Sequence, residues 1–317
     1  KYYELKNNKD NCSSPEEAAS EIRKRLIEVI EKYYDRDKNV GIYLSGGIDS
    51  SIIAAAAREV ISDLETFSVG VKDSTDLPNA RIVADHVGAN HHECIYDLDE
   101  MLEVLPEVLY HLESFDMYLV RSAVANYLLS RMAHKFGKNL VLCGEGSDEL
   151  FAGYSYLKKF DTSEIERELY KLTFTSHANG FQRVDRMTSA FSIDAIVPFV
   201  DISLVEFALN LPVEWKMYKK DSSKIEKWIL RKAFENDLPP EIVWREKKKF
   251  SEGAGSSETI QKYAEKIISD QEFEREKLIK NGFMLRSKEE LFYYRIFREL
   301  FPNDSVIDTI GRTATVG

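Results

Sequence analysis

Apolar positions along the chain recur first at helical and then at strand spacing. Ala18, Ile22, Leu26, Val29, Ile30 and Tyr33 fall on one helical face. Ser14, Pro15 and Glu17 precede them as an N-cap, a first-turn proline and a capping-box partner, so a helix opens near residue 15. Residues 40–44 (VGIYL) form a short apolar run bounded by a glycine turn, which reads as a buried strand. Residues 66–71, 92–96 and 139–143 read the same way. Between these strands the spacing predicts helices over 52–60, 78–87, 98–112 with Asp97 as cap, and about 121–136. Beyond about residue 155 the pattern is helical, with loops at 198–201, 211–222 and 247–257.

Strands alternating with helices specify an α/β fold, here a parallel twisted sheet of about five strands with helices on both faces. A mainly helical C-terminal region follows. The expected division is a leader remnant over 1–13, an α/β core over 14–155, a helical part over 156–301 and a mobile tail over 302–317. In such sheets ligands sit beyond the carboxyl ends of the strands, where the strand order reverses.

Composition narrows the function. The chain has 317 residues, with 43 Lys plus Arg against 54 Asp plus Glu, a net charge of −11. That balance argues against a nucleic-acid partner, which needs a basic field. No apolar run approaches the ~20 residues of a membrane span. Cys12, Cys94 and Cys143 are far apart and odd in number, which excludes a disulfide framework or a C-x-x-C zinc site and points to a reducing, cytoplasmic setting.

Three segments carry candidate chemistry. Ser45-Gly46-Gly47-Ile48-Asp49-Ser50-Ser51 links a buried strand to a helix. Its glycines let backbone amides turn inward, its serines add donors, and the helix presents its positive end, which together suit a phosphate or pyrophosphate. Asp49 would repel that phosphate unless a cation such as Mg²⁺ lay between them. The loop lacks the Gly-Lys-Ser/Thr of a Walker A motif and lacks G-x-G-x-x-G. An ordinary strand-to-helix turn with a serine cap is the plainer alternative. Cys143-Gly144-Glu145-Gly146-Ser147-Asp148-Glu149 places three carboxylates in five residues after an apolar strand, so a cation or a helix terminus must offset their repulsion. The alternative there is a solvated acidic turn capping the next helix. Arg245 to Gly255 (REKKKFSEGAG) is either a cationic flap or a solvated lysine face. His91 and His92 face opposite sides of a strand and do not share a metal. Tyr33, Tyr110 and Phe136 read as core.

Taken in order, these motifs resemble the C-terminal synthetase domain of the asparagine synthetases, over roughly residues 14–301. SGGIDSS is similar to the pyrophosphate loop of N-type ATP pyrophosphatases, a superfamily with an adenine nucleotide alpha hydrolase-like fold. GEGSDELFAGY, VPFVD (197–201), EKWILRKAFENDLPPE (226–241) and REKKKFSEGAG resemble asparagine synthetase signatures. Cys143, Ala152 and Ile196 stand where the family has serine, often glycine, and commonly arginine.

The resemblance implies ATP and Mg²⁺ as cofactors, with aspartate and ammonia as substrates. Aspartate would be adenylated on its side-chain carboxylate and ammonia would then displace AMP. Leu44 and Val69 would flank adenine or ribose, Ser45, Gly46, Gly47, Asp49, Ser50 and Ser51 would cradle pyrophosphate, and Cys143 and Gly144 would line the nucleotide. Asp49 and Asp148 would hold Mg²⁺. Glu145 would take a proton from the incoming nitrogen or position it, the former a role that suits a glutamate shielded from water. Lys247, chosen over Lys248 and Lys249 by the R-x-K-x-x-F spacing, would neutralise the α-phosphate, and Arg121 would grip aspartate. The family's glutaminase domain, with its cysteine nucleophile, is expected to be missing, with residues 1–5 resembling only the end of a leader from it. This chain would then use free ammonia unless a glutaminase domain or subunit supplied it. A homodimer is compatible with the resemblance. A β-lactam synthetase type of carboxylate activation is the nearest alternative, and a tRNA-modifying enzyme is a more distant one.

Overall fold

Five parallel strands pair in the order β3-β2-β1-β4-β5 in the computed structural model, which describes residues 12–34, 38–178, 180–221, 223–247 and 250–313. They are β1 (Val40–Tyr43), β2 (Glu65–Gly70), β3 (Asn90–Ile95), β4 (Leu140–Leu142) and β5 (Asp194–Ile196). Their side chains alternate between two cores, as the period of two requires. Ile42, Leu44, Leu140 and Leu142 point into one cluster, shared with helices α1 (Pro15–Tyr33), α2 (Ile48–Arg58) and α3 (Asp76–Val87). Tyr43, Phe67, Val69, Val141 and Cys143 point into the other, under α4 (Leu98–Leu112) and α5 (Met117–Lys135). The helices Ser256–Ile267 and Lys288–Leu300 pack on α4 and α5 and complete this second cover.

Several boundaries differ from the sequence reading for local reasons. At α1 the Ser14 side chain accepts from the Glu17 amide at 3.2 Å, but Glu17 reaches back to Ser13 at 2.7 Å, one residue before a capping box would close. Helix α2 starts at Ile48, which puts Asp49, Ser50 and Ser51 in its first turn. Helix α5 starts at Met117 because Asp116 accepts from the amides of Tyr118 and Leu119 at 3.1 and 3.2 Å. Strand β5 and the hairpin β6 (Met217–Lys220) and β7 (Ser223–Glu226) lie in stretches read as helical or loop. Three or four residues are too few to show a period of two, and β5 joins the sheet from well past residue 155.

Tyr33, Tyr110 and Phe136, expected in the core, are exposed. Each instead lies against the surface. Tyr110 stacks on Phe301 with centroids 6.0 Å apart, Phe136 sits 4.0 Å from the His92 ring, and the Tyr33 hydroxyl donates to Asp201 at 3.2 Å. His91 and His92 do diverge, to Thr66 Oγ1 at 2.8 Å and Glu65 Oε2 at 3.0 Å. Among the described residues no helix is long and apolar enough to cross a membrane.

The segment expected to be a mobile tail is tied down as far as residue 313. It carries a 3-10 helix, Asp304–Thr309. The Thr313 amide and hydroxyl both donate to Asp116 at 2.9 Å, and Arg312 pairs with Glu290 at 2.9 Å. Residues 1–11 of the leader and 314–317 lie outside the described residues. Asp116 is therefore at once the cap of α5 and the anchor of the chain end. Asp116→Ala should lower stability by about 1–3 kcal/mol, from the lost cap and the lost anchor, and should open residues 302–313 to limited proteolysis. A variant that melts and digests like the parent would show that this anchor is not needed.

Candidate active site

The strand order reverses between β1 and β4, and both glycine-rich loops leave the sheet at that point. They touch. A side chain at Gly144 would put a Cβ 2.7 Å from the Ser50 amide nitrogen and 2.9 Å from the Asp49 carbonyl carbon. Gly46, at φ +69°, packs on the backbone of Asn79 and Ala80, where a Cβ would approach to 2.4 Å. The first-loop hydroxyls are partly turned inward. Ser51 is fully buried and donates to the Gly47 carbonyl at 2.8 Å, and Ser50 donates to the same oxygen at 3.2 Å. Ser45, half-buried, has its amide on Ser50 Oγ at 3.1 Å. The loop thus offers the N-terminus of α2 and its glycine backbone more than its serine hydroxyls.

The charges meet in the crevice between the loops. Lys227 Nζ lies 2.6 and 2.7 Å from the two Asp49 carboxylate oxygens, 2.5 Å from Asp148 Oδ1 and 2.9 Å from Ser147 Oγ. Lys247 pairs with Asp148 Oδ2 and lies over the Tyr154 ring, 4.6 Å from its centroid. Burial pushes the Asp148 carboxyl up, but the charges of Lys227 and Lys247 outweigh it and hold it well below the usual carboxylate range. Burial pushes the Lys227 ammonium down, and Asp148 and Asp49 reverse that, leaving it raised. Glu149 is raised by burial and by the Asp148 charge, although the Tyr154 hydroxyl donates to it at 2.6 Å.

A second ion pair flanks the first. Arg183 donates to Glu145 Oε1 at 3.0 Å from the helix Gly180–Ser189. Glu145 keeps 24% of its side chain exposed, so it is not the water-shielded acid the sequence reading expects. Arg245 ties the lysine segment to the first loop. Its guanidinium donates to the Gly46 carbonyl at 3.0 Å and to Asp76 Oδ1 at 2.9 Å. Residues 245–247 thereby touch both motif loops. Lys248 and Lys249, the rivals of Lys247, lie outside the described residues.

Other expected site residues are placed differently. Arg121 does not stand free, because its guanidinium donates to both oxygens of the buried Glu289 at 2.8 and 2.5 Å. Leu44 and Val69 end adjacent strands but bury their side chains in opposite clusters, so only their backbones face a common edge. Cys143 is buried, which pushes its thiol up, and its amide donates to the Ile196 carbonyl at 2.9 Å. Lys227 and Arg183 were not singled out from sequence. Lys227 lies in the 226–241 segment, where a lysine opening an apolar helical run is the only hint, and nothing local marks Arg183.

Two overlapping matches to the asparagine synthase family model cover residues 21–168 and 158–309. The chain belongs to the asparagine synthase family. The asparagine synthetase [glutamine-hydrolyzing] of Zea mays is 34% identical over 306 residues, 91% of this chain and 52% of that protein. Asparagine synthetase B [glutamine-hydrolyzing] of Escherichia coli (strain K12) is 35% identical over 319 residues, 95% of this chain and 56% of that protein. The chain thus spans about half the length of these curated relatives. Among solved structures, the NMN synthetase of Francisella tularensis superposes with a TM-score of 0.42 at 13% identity, over 91% of this chain and 96% of that one.

This asparagine synthase family member should show the charge cluster in its acid limb. The folded-state value of Asp148 lies below the unfolded ~3.9. Its contribution to stability is therefore complete above about pH 4 and is lost as pH falls through the folded value. The melting-temperature gap between the parent and Asp148→Asn should be widest near pH 6 and should shrink steadily toward pH 2.5. A gap of constant width would mean that Asp148 is not held ionised by its lysines.

Proposed function

We propose that the chain is the synthetase part of an asparagine synthetase. It adenylates the side-chain carboxylate of aspartate with ATP, releasing pyrophosphate, and lets ammonia displace AMP to give asparagine. The observation that supports this most is the meeting of both motif loops and both lysines in one crevice at the reversal of strand order. The first loop would take the pyrophosphate at the N-terminus of α2. Lys247, already at the crevice wall, would move from Asp148 to the negative charge that grows around the α-phosphorus, an electrostatic contribution made where the charge develops. Glu145, steadied by Arg183, would accept a proton from the nitrogen before it attacks. Arg121, whose charge is met by Glu289, is given no substrate role.

Mg²⁺ does not fit the resting donor set. The oxygens of Asp49 and Asp148 face lysine ammonium groups. Among the described residues no three His, Cys, Asp or Glu side chains are grouped to hold a metal. The protein steps proposed here use lysines and carboxylates alone. Ammonia from a glutaminase unit is consistent with the glutamine-hydrolyzing relatives, and a cytoplasmic setting with the free thiols of Cys94 and Cys143.

Two half-reactions separate the roles. Aspartate-dependent ATP–pyrophosphate exchange should be measurable with this 317-residue polypeptide, and ammonium should support asparagine formation. Glu145→Gln should slow asparagine formation by ~10²–10⁴-fold, the range for losing a positioned general base, with a much smaller effect on exchange. Lys247→Met should depress both. Exchange driven equally well by unrelated carboxylic acids would sink the aspartate assignment. Equal losses in both assays for Glu145→Gln would remove its amination role.

A further inference from the structure

We infer that Lys216 is a proton-operated latch at the base of the hairpin β6–β7, and that closing this latch seats Lys227 in the crevice. The hairpin links the two lysines. Met217 pairs with Glu226 at its open end, so Lys216 leads into the hairpin and Lys227 leaves it. Both lysines are buried, with 1% of each residue exposed. Tyr218, Lys219, Lys220 and Ser223, farther out on the hairpin, are exposed, so its docking depends on its base.

The two lysines are satisfied very differently. Lys227 Nζ has four carboxylate or hydroxyl contacts, the longest at 2.9 Å. Lys216 Nζ has the Leu209 carbonyl at 3.4 Å, in the last turn of the helix Ile202–Asn210. An ammonium group carries three donors and, when buried, calls for an anion. A neutral amine suits this surrounding better. Val213 and Met217, on either side of Lys216, lie in an apolar cluster with Leu157, Ile165 and Leu169.

The charged groups around the helix Val213–Lys216 are engaged elsewhere or lie at a distance. From the packed helix Thr162–Thr175 the Glu166 charge reaches Lys216, whereas Glu168 accepts from the Tyr156 hydroxyl at 3.0 Å. From the helix Trp228–Ala233, Arg231 donates to the Glu226 carbonyl at 3.0 Å and Lys232 pairs with Glu235. Glu226 pairs with Lys158 at 2.6 Å, and Glu214 accepts from Thr162 at 3.3 Å. Glu206 is the titratable residue of Ile202–Asn210. Burial pushes the Lys216 amine down to about 7, although Glu166 opposes it. The unfolded value is about 10.4. Between the two values the closed latch binds fewer protons than the open one. Each unit by which pH falls in that window therefore favours opening about tenfold. Below about 7 the effect levels off, because both forms are then protonated.

The test is backbone hydrogen exchange on the full 317-residue chain from pH 9 to pH 6, read as protection factors at residues 217–220 and 223–227. The Lys227 amide donates to the Phe151 carbonyl at 3.2 Å, so its protection reports the seat of Lys227. In the parent, protection should fall about tenfold per pH unit from pH 9 to 7.5 and level off below that. Lys216→Met keeps nearly the same length without a charge, and its protection should stay level across the range. Lys216→Arg is charged at every pH, and its protection should already be about tenfold or more below the parent's at pH 9. The inference is overturned if the parent's profile is flat, or if Lys216→Met keeps the parent's slope. It is overturned equally if Lys216→Arg is as well protected as the parent at pH 9. A role in packing alone would lower protection in both variants and leave the slope with pH unchanged, which also overturns it. Circular dichroism establishes folding, and if one variant does not fold, the parent's profile and the other variant decide. These readouts use no substrate, so the latch stands or falls independently of the ligase reading.

Discussion

The contact between Lys227 and the two aspartates, Asp49 from the first loop and Asp148 from the second, sets terms for everything around it. A buried ammonium group keeps its charge where anions and hydrogen-bond partners surround it, and removing one member of such a group typically costs about 3–5 kcal/mol. The loops must therefore approach closely, which is why Gly144 has no space for a side chain against Asp49 and Ser50. The turn after Asp148 must also leave a gap for the lysine stem, which is the place of Gly153. These glycines are consequences of packing four charges into one crevice.

Long-range structure delivers the charges. Asp49 comes from the first turn of α2 after β1, Asp148 from the short helix Ser147–Leu150 after β4, Lys227 from the turn after β7, and Lys247 from a segment pinned to Gly46 and Asp76 by Arg245. Four separate stretches converge only because the strand order reverses between β1 and β4, opening a crevice without a strand across it. The helix Lys288–Leu300, which supplies Glu289 to Arg121, and residues 312–313, held by Glu290 and Asp116, brace α5 on its own side of the sheet. Distant packing thus reaches the site through rigid elements.

What the sequence made legible follows from how local each signal is. The α1 helix, the first four strands of the sheet and both glycine loops each carry a local signal, and each is found. Lys247 is singled out by its spacing within R-x-K-x-x-F, but its pairing with Asp148 is seen only in the structure. Strand β5 is as short as β4 but lacks its buried apolar run, and its partner lies some fifty residues away, so no local pattern marks it. Lys227 and Arg183 became visible only in three dimensions. Burial and partners define their roles, and neither is written in the residues beside them. Arg121 shows the converse. A cation of the right type can be satisfied internally by Glu289, which sequence reasoning cannot see across 168 positions.

Two departures from the family pattern take on a physical meaning. Ala152, where the family often has glycine, adopts φ +57°, so the backbone keeps the left-handed turn that glycine makes easily even though the side chain has changed. The methyl is fully buried beside Leu157, Ile165 and Met217, and that packing offsets part of the strain. Ile196, where an arginine is common, is half-buried against the α1 cluster and borders a shallow surface hollow with Lys32, Asp185 and Asp194. Its carbonyl, not its side chain, meets the motif loop, through the Cys143 amide. The loss of that arginine therefore leaves the four-charge crevice intact. Lys227 and Lys247 meet Asp49 and Asp148 directly, and neither contact depends on residue 196.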